Sequence, residues 1–447
     1  MGKSLYPPGP TSKFSIGIYL DLHRDPLAFL KRMVETYGDF VHLQLGSRHD
    51  FLVNDPEDVK KVLLSPEKFI RSTPRALSRM LGNGLLTSDQ KFHGCQRRFL
   101  QPSFNPPKIA EYAPVMAKLA QELSQSWEGK EIVDIAAEMN DLALNVVVRT
   151  LLGTKLDEQE AEIIEAIETI KSQTDKKTMP FLDELLWKLP LPRNKRYLNA
   201  GQRLDKKIYE VIERKRCEGS NGGDLIASLL RAQGEENGKG VWTDKQIRDE
   251  AMTMFLAGHE TIGSAMTWTW FLLSQNPNAE AKMHAELNSV LGKNPPQEKD
   301  IKNLIYTERV LLESMRLYPP VWLMVRKPTE DVELNGYTIP AGAYVHVCQY
   351  LLHRDARYFV EPQRFDPDRW SPQASAGRPK FSYFPFGGGK RQCIGEGFAM
   401  TEGILALAAI GQQWQLRRAD DHTIEIESLI TLRPKNGLKM KLEKRIK

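Results

Sequence analysis

Residues Phe384 to Gly397 read FPFGGGKRQCIGEG. Three successive glycines, Gly387 to Gly389, let a backbone come close to a ligand and aim its amide N–H groups at it. Cys393 follows beside Lys390 and Arg391, immediately before a helical pattern running from about Gly395 to Ile410. A cysteine among cations at a helix N-terminus has a lowered pKa and favours the thiolate, the form of sulfur that ligates iron. A lone cysteine is more often a buried, inert thiol. Here the spacing Phe386-x-x-Gly389-x-Arg391-x-Cys393-x-Gly395 is far tighter than a lone residue. At average residue usage, five such coincidences arise by chance in fewer than about one sequence in ten thousand.

Around this loop the 447-residue chain has an ordinary globular composition, 41% hydrophobic and 27% charged, which suits a large core and excludes disorder or a fibrous repeat. Basic residues exceed acidic ones by 62 − 57 = 5, too mild an excess to indicate nucleic-acid binding. Cys95, Cys217, Cys348 and Cys393 are scattered, with no Cys-x-x-Cys pair, which points to a reduced, cytoplasmic protein. No window approaches the ~20 uncharged apolar residues of a membrane span. The start, MGKSLYPPGP, lacks the apolar core of a secretion signal.

Gly38 to Asn54 alternates apolar and polar residues around a Gly-Ser turn and predicts a hairpin. Val332 to Val347 predicts another, turning at Asn335-Gly336, and the tail from Trp414 to Leu442 alternates again. Helical periodicity covers 111–128, 138–152, 157–173, 198–217 and 244–275. The last pattern begins well marked: Thr243 caps it with Gln246 three residues on, and Trp242 and Ile247 suit the flanking hydrophobic staple. It should stop at Asn276-Pro277, which at ~1.5 Å per residue gives a helix of roughly 48 Å. Strand segments drawn from the start, later middle and end of the chain imply one interleaved α+β domain, mainly α, spanning 1–447.

The Cys393 loop resembles the heme-binding loop of the cytochrome P450 family, and further motifs stand in that family's order. Glu-x-x-Arg occurs three times, at Glu213/Arg216, Glu313/Arg316 and Glu361/Arg364, so the spacing alone selects none of them. Context selects Glu313: its helix closes at Tyr318-Pro319-Pro320, and Phe365-Asp366-Pro367-Asp368-Arg369-Trp370 follows about fifty residues later. The resemblance implies that Glu313, Arg316 and Arg369 form a buried charge cluster that holds the Cys loop. In the centre of the long helix, Ala257-Gly258-His259-Glu260-Thr261 interrupts an apolar stretch, and an interior glycine costs ~1 kcal/mol against alanine. The resemblance implies that this segment crosses a heme, with Gly258 leaving room for dioxygen, Thr261 offering its hydroxyl and Glu260 relaying protons. His259 then falls at a variable position and reads as a structural or relay residue.

His93 and Arg97, at i,i+4 spacing, stand where the family has Trp-x-x-x-Arg. With Arg326 and Arg391 they are the expected partners of the heme carboxylates. The resemblance further implies heme b with an axial thiolate from Cys393, in a loop shaped by Phe386 and Gly395, and a long central helix over the heme beside a small β-rich region. The implied enzyme is a monooxygenase that takes dioxygen, a lipophilic small molecule and two electrons. No flavin fingerprint or iron–sulfur cysteine cluster occurs in the chain, so a separate ferredoxin or flavodoxin with its reductase is expected, docking near Arg97, Arg98, Lys380 and Lys390. The implied substrate lining is Leu77, Leu85, Met254, Phe255, Val321, Trp322, Leu323 and Leu432, with Met179 to Pro192 as an access lid. A fatty acid is the leading expectation, with terpenoids or retinoids, a peroxide-using hydroxylase and a non-catalytic heme sensor as alternatives, and a monomer is expected.

Overall fold

The computed structural model of the chain describes residues 6–10, 15–88, 90–154, 191–219, 222–234 and 242–445, with a few single positions between 155 and 190. The expected helix at 157–173 and most of the expected lid lie outside the described residues. The architecture is α+β, mainly α. Its contacts gather into two compact units: Met1–Ser72 with Ile109–Leu142 and Glu260–Lys447, and Thr73–Lys108 with Ala143–His259.

The first unit holds a five-stranded sheet in the order Phe40–Leu45, Arg48–Val53, Tyr344–Val347, Met324–Pro328, Phe69–Arg71. The first two strands are the expected hairpin, with Leu45 opposite Arg48. The second expected hairpin is shorter than its alternation suggested. Among the described residues Val332–Leu334 pairs only with Tyr337–Ile339, around Asn335 and Gly336 at φ 51° and 78°, the left-handed pair that a tight Asn-Gly turn needs. Tyr344–Val347 leaves that ribbon and runs parallel to Arg48–Val53. There Val345 and Val347 are fully buried, which the small ribbon could not provide.

Side chains alternate across this sheet with the period of two that strands impose. Phe51 faces a cluster with Val59, Phe69, Val345, Phe381 and Phe384. Leu52 faces another with Phe29, Leu30, Val41, Trp322 and Leu432. Phe384 opens the Cys393 loop, so that loop is rooted in the sheet's own core. In the tail, Trp414–Arg418 pairs with Lys439–Lys444 and Ile426–Ser428 with Leu432–Pro434.

The long helix runs Asp244–Gln275, 32 residues. Its start follows the capping signal: the Gln246 N–H donates to Thr243 Oγ1 at 3.2 Å, and Trp242 and Ile247 are buried. Asn276 caps the next helix, Pro277–Leu291. In the second unit a Cβ on Gly258 would lie 2.7 Å from Val147 Cγ2. Glycine there lets the helix press against its neighbour, a packing reason independent of any ligand.

Candidate active site

The Cys393 loop is built from tight turns. The Gly387 N–H donates to the Phe384 carbonyl at 2.9 Å, Gln392 N–H to Gly389 at 3.0 Å and Cys393 N–H to Phe386 at 2.9 Å. Gly387 and Gly389 adopt positive φ of 75° and 69°. A Cβ on Gly389 would stand 2.5 Å from the Leu63 carbonyl oxygen, and one on Gly388 2.7 Å from the Phe381 ring. The glycines thus serve conformation and close packing on the protein side of the loop. Gly395 caps the helix Glu396–Gly411, and its carbonyl accepts from Ala399 at 2.8 Å. Cys393 keeps an accessible surface at the mouth of that helix.

Three arginines converge beside it. Arg71 and Arg326 are direct partners across the edge of the sheet, although like charges placed opposite each other destabilise a ladder. Desolvation, together with the nearby Arg326 and Arg391 charges, pushes Arg71 down to about 9, while the Cys393 sulfur opposes that shift. Desolvation and Arg391 likewise push Arg326 down to about 10. Arg71 retains accessible surface although the surrounding protein penalises its charge. Among the described residues, Arg326 bonds the Val325 carbonyl at 3.1 Å and the Met324 sulfur at 4.0 Å. No carboxylate there pairs with Arg326 or Arg71. The cluster places three cationic groups next to a thiol.

Behind the loop lies the charge cluster. Glu313 and Arg316 are both 0% exposed and bond through Nε–Oε2 at 2.8 Å and Nη2–Oε1 at 2.9 Å. Glu313 also accepts from Arg369 Nε at 3.0 Å, Trp370 Nε1 at 3.0 Å and the Asp366 N–H at 2.9 Å. Arg316 donates to the His353 carbonyl at 2.9 Å, and His353 Nε2 accepts the Phe384 N–H at 2.9 Å. Burial and the neighbouring Arg316 hold His353 well below its ordinary pKa, hence neutral, as an acceptor nitrogen requires. An unbroken hydrogen-bonded chain therefore runs from Glu313 to the first residue of the Cys393 loop.

On the long helix every residue from Ala251 to Trp270 is buried except Ala257, Gly258 and Thr261. Their spacing of i, i+1 and i+4 puts the remaining surface on one face. Glu260 points elsewhere: its Oε1 accepts from Thr431 Oγ1 at 2.7 Å. His259 Nδ1 lies 2.7 Å from the Phe255 carbonyl, one turn back, in a purely helical contact.

A family model described as cytochrome P450 matches residues 7–442. The chain belongs to the cytochrome P450 family. Cyclooctatin synthase of Streptomyces melanosporofaciens is 41% identical over 405 residues, 90% of this chain and 88% of that protein. Cyclooctat-9-en-7-ol 5-monooxygenase of the same organism is 37% identical, covering 93% and 90%. Pentalenene oxygenase of Streptomyces avermitilis is 31% identical, covering 96% and 95%. Among solved structures, a cytochrome P450DA heme domain superposes with a TM-score of 0.87 at 25% identity, covering 99% of both chains. Retinoic acid bound cyanobacterial CYP120A1, at 24% identity, reaches 0.88 over 99% and 100% and shows the shared fold.

This P450 is therefore a heme b oxidoreductase of the monooxygenase type, acting on a lipophilic substrate with dioxygen and electrons from a redox partner. Its residues fit the cofactor: a thiol on a glycine-shaped loop, and beside it Arg71 and Arg326, which no carboxylate among the described residues pairs with, suited to two propionates. Among the described residues no helix is long and apolar enough to cross a membrane. Burial pushes the Cys348 thiol up to about 12.

In the P450's second unit His93 is buried and Arg97 half-buried on the helix Gln90–Leu100. The expected substrate residues divide. Val321 and Leu323 keep partial exposure, whereas Leu77, Leu85 and Met254 are buried. Phe255 lines an apolar cleft with Val148, Leu152, Leu204, Ile208 and Ile226, with Lys207 also in its wall. Trp322 and Leu432 belong to the core cluster, and Leu432 has no accessible surface. Its place there follows from its carbonyl, which accepts from Ser264 Oγ at 2.5 Å and Trp268 Nε1 at 2.8 Å. Sequence reasoning missed Arg71 and His353. Only the Leu351-Leu352-His353-Arg354-Asp355 run gave any local signal, and Arg71 has none, because its partner lies 255 positions away in a strand register.

Proposed function

We propose that Cys393 supplies the axial thiolate, that Arg71, Arg326 and Arg391 hold the heme propionates, and that the enzyme hydroxylates a cyclic terpenoid. The observation that carries the cofactor assignment is the unpaired Arg71–Arg326 couple beside Cys393. When bound, heme supplies the reduction of dioxygen by two electrons and two protons, placing one oxygen atom in a C–H bond of the substrate and releasing the other as water. Thr261, on the one accessible face of the long helix, orients dioxygen by its hydroxyl, and Glu260 carries protons toward it. Exposed Lys380 and Lys390 suit docking of an acidic ferredoxin or flavodoxin.

Three relatives named for terpenoid chemistry, each matched over most of its length, favour a terpenoid over a fatty acid. The second reading, a fatty acid, keeps one specific support, Lys207 in the wall of the apolar cleft. The test of the cofactor is the absorption spectrum of the reduced, carbon monoxide-treated protein. A strongly red-shifted Soret band is expected, absent in Cys393→Ala; the same band in the variant would refute the ligand. Titrating spin state with a panel of cyclic diterpenes, sesquiterpenes and fatty acids tests the substrate. Saturation by fatty acids alone would overturn the terpenoid assignment.

A further inference from the structure

The buried carboxyl of Glu260 is bonded from outside its own helix, by the Thr431 hydroxyl of the tail. We propose that Thr431 is a positioning residue for the monooxygenase reaction: its hydroxyl fixes the direction in which Glu260 delivers protons. This rests on the reading of Glu260 as the proton-carrying acid.

Glu260, Ser264 and Trp268 lie at i, i+4 and i+8, a single stripe along the helix. All three bond to two consecutive residues of the tail. Thr431 Oγ1 donates to Glu260 Oε1 at 2.7 Å, and the Leu432 carbonyl takes the Ser264 and Trp268 donors. The Leu432 N–H donates in turn to the Pro320 carbonyl at 3.0 Å. The backbone that carries Thr431 is thus held from both sides, and both side chains of the pair are buried. Threonine is stiff at χ1, so the anchored backbone fixes its oxygen. A hydroxyl holds one hydrogen and two lone pairs, and while that hydrogen is given to Glu260 the carboxyl can turn only about this anchor.

Arg433 extends the arrangement outward. Its Nη1 stands 3.9 Å from Glu260 Oε1, and its Nε bonds Glu427 at 2.9 Å. Arg433 and Glu427 keep 27% and 28% of their side-chain surface, against 8% for Glu260. The guanidinium places a positive charge between the surface and the buried acid. Positioning at this precision matters because catalytic groups must be held to within about 0.5 Å of their productive place.

The experiment compares Thr431→Val, which keeps shape and loses the donor, with Thr431→Ser, which keeps the donor, and with Glu260→Gln. All carry heme, checked by the carbon monoxide spectrum, and are assayed with the best ligand from the lipid panel. Product and hydrogen peroxide are counted per electron pair supplied, alongside the solvent deuterium isotope effect and hydrogen exchange at the Leu432 amide. In Thr431→Val, product per electron pair should fall about tenfold, part of the 10²–10⁴ that a positioned acid contributes. Peroxide and the isotope effect should rise, with substrate affinity and Leu432 protection unchanged. Thr431→Ser should restore the yield. If Glu260→Gln lowers the yield and Thr431→Val does not, or if Thr431→Ser behaves like Thr431→Val, the positioning role is overturned while the acid reading stands. If Glu260→Gln changes nothing, the acid reading itself fails, and the proposal with it.

Discussion

The three Glu-x-x-Arg pairs offer a direct test of what burial does to one chemical motif. At Glu313→Gln, one carboxylate oxygen becomes an amide NH₂. Whichever way the amide turns, it meets donors: Arg316 Nη2, Arg369 Nε and the Asp366 N–H on the Oε1 side, or Arg316 Nε and Trp370 Nε1 on the Oε2 side. At least two hydrogen bonds are lost, and two buried guanidinium groups lose the one carboxylate that pairs with them among the described residues. Removing one partner of a buried pair costs about 3–5 kcal/mol, and since ~1.4 kcal/mol is a factor of ten, the folded fraction relative to unfolded should drop by roughly 10²–10³·⁵. Because the Glu313–Arg316–His353–Phe384 chain ends at the Cys393 loop, heme retention should fall in parallel. The assay is urea unfolding by tryptophan fluorescence, with heme release to an excess of apomyoglobin as the second readout. Glu213→Gln, at a pair that is 39% and 61% exposed, should change stability by less than about 0.5 kcal/mol. Glu361→Gln, in a still more exposed pair, should be indistinguishable from the parent. A loss below about 1 kcal/mol at Glu313 would refute the claim that burial, and not the motif, carries the energy.

Two further outcomes follow from the geometry. Gly258→Ala should destabilise the chain by about 1–3 kcal/mol through overpacking, despite the better helix propensity of alanine, and Val147→Ala in the same chain should recover most of that loss, as thermal unfolding of the double mutant would show. Arg71, held near 9 in the folded chain, well below the ordinary guanidinium range, binds its proton less tightly when folded, so stability of the heme-free protein should rise as pH climbs above about 9. Arg71→Gln should flatten that rise and stabilise the heme-free protein at pH 7, while speeding heme loss from the loaded enzyme; slower heme loss would count against a propionate role.

How much of this was legible in the chain depends on the range of the interactions. The cap at Thr243, the Asn335-Gly336 turn and the Phe40–Val53 hairpin are settled by neighbours a few residues away, and the structure keeps them. The alternation from Val332 to Val347 misled because a period of two states that a strand exists and is silent on its partner. Tyr344–Val347 found a better-buried edge beside Arg48–Val53. Leu432 failed as a pocket residue for a similar reason: an apolar residue reads the same whether it faces a ligand or the core, and its carbonyl's bonds to Ser264 and Trp268 decide the matter.

The sequence by itself determined the family, through a five-residue spacing around Cys393 that chance does not produce, and it marked Glu313, Arg369 and Glu260 by their place in an order of motifs. Tertiary structure alone decided that Arg71 stands opposite Arg326 beside the thiol and that Thr431 bonds Glu260. The physical reason is that local spacing fixes which side chains share a helix face or turn. The charge balance of a buried site is a sum over groups from distant segments, and only the folded chain brings those groups within a few ångströms of one another.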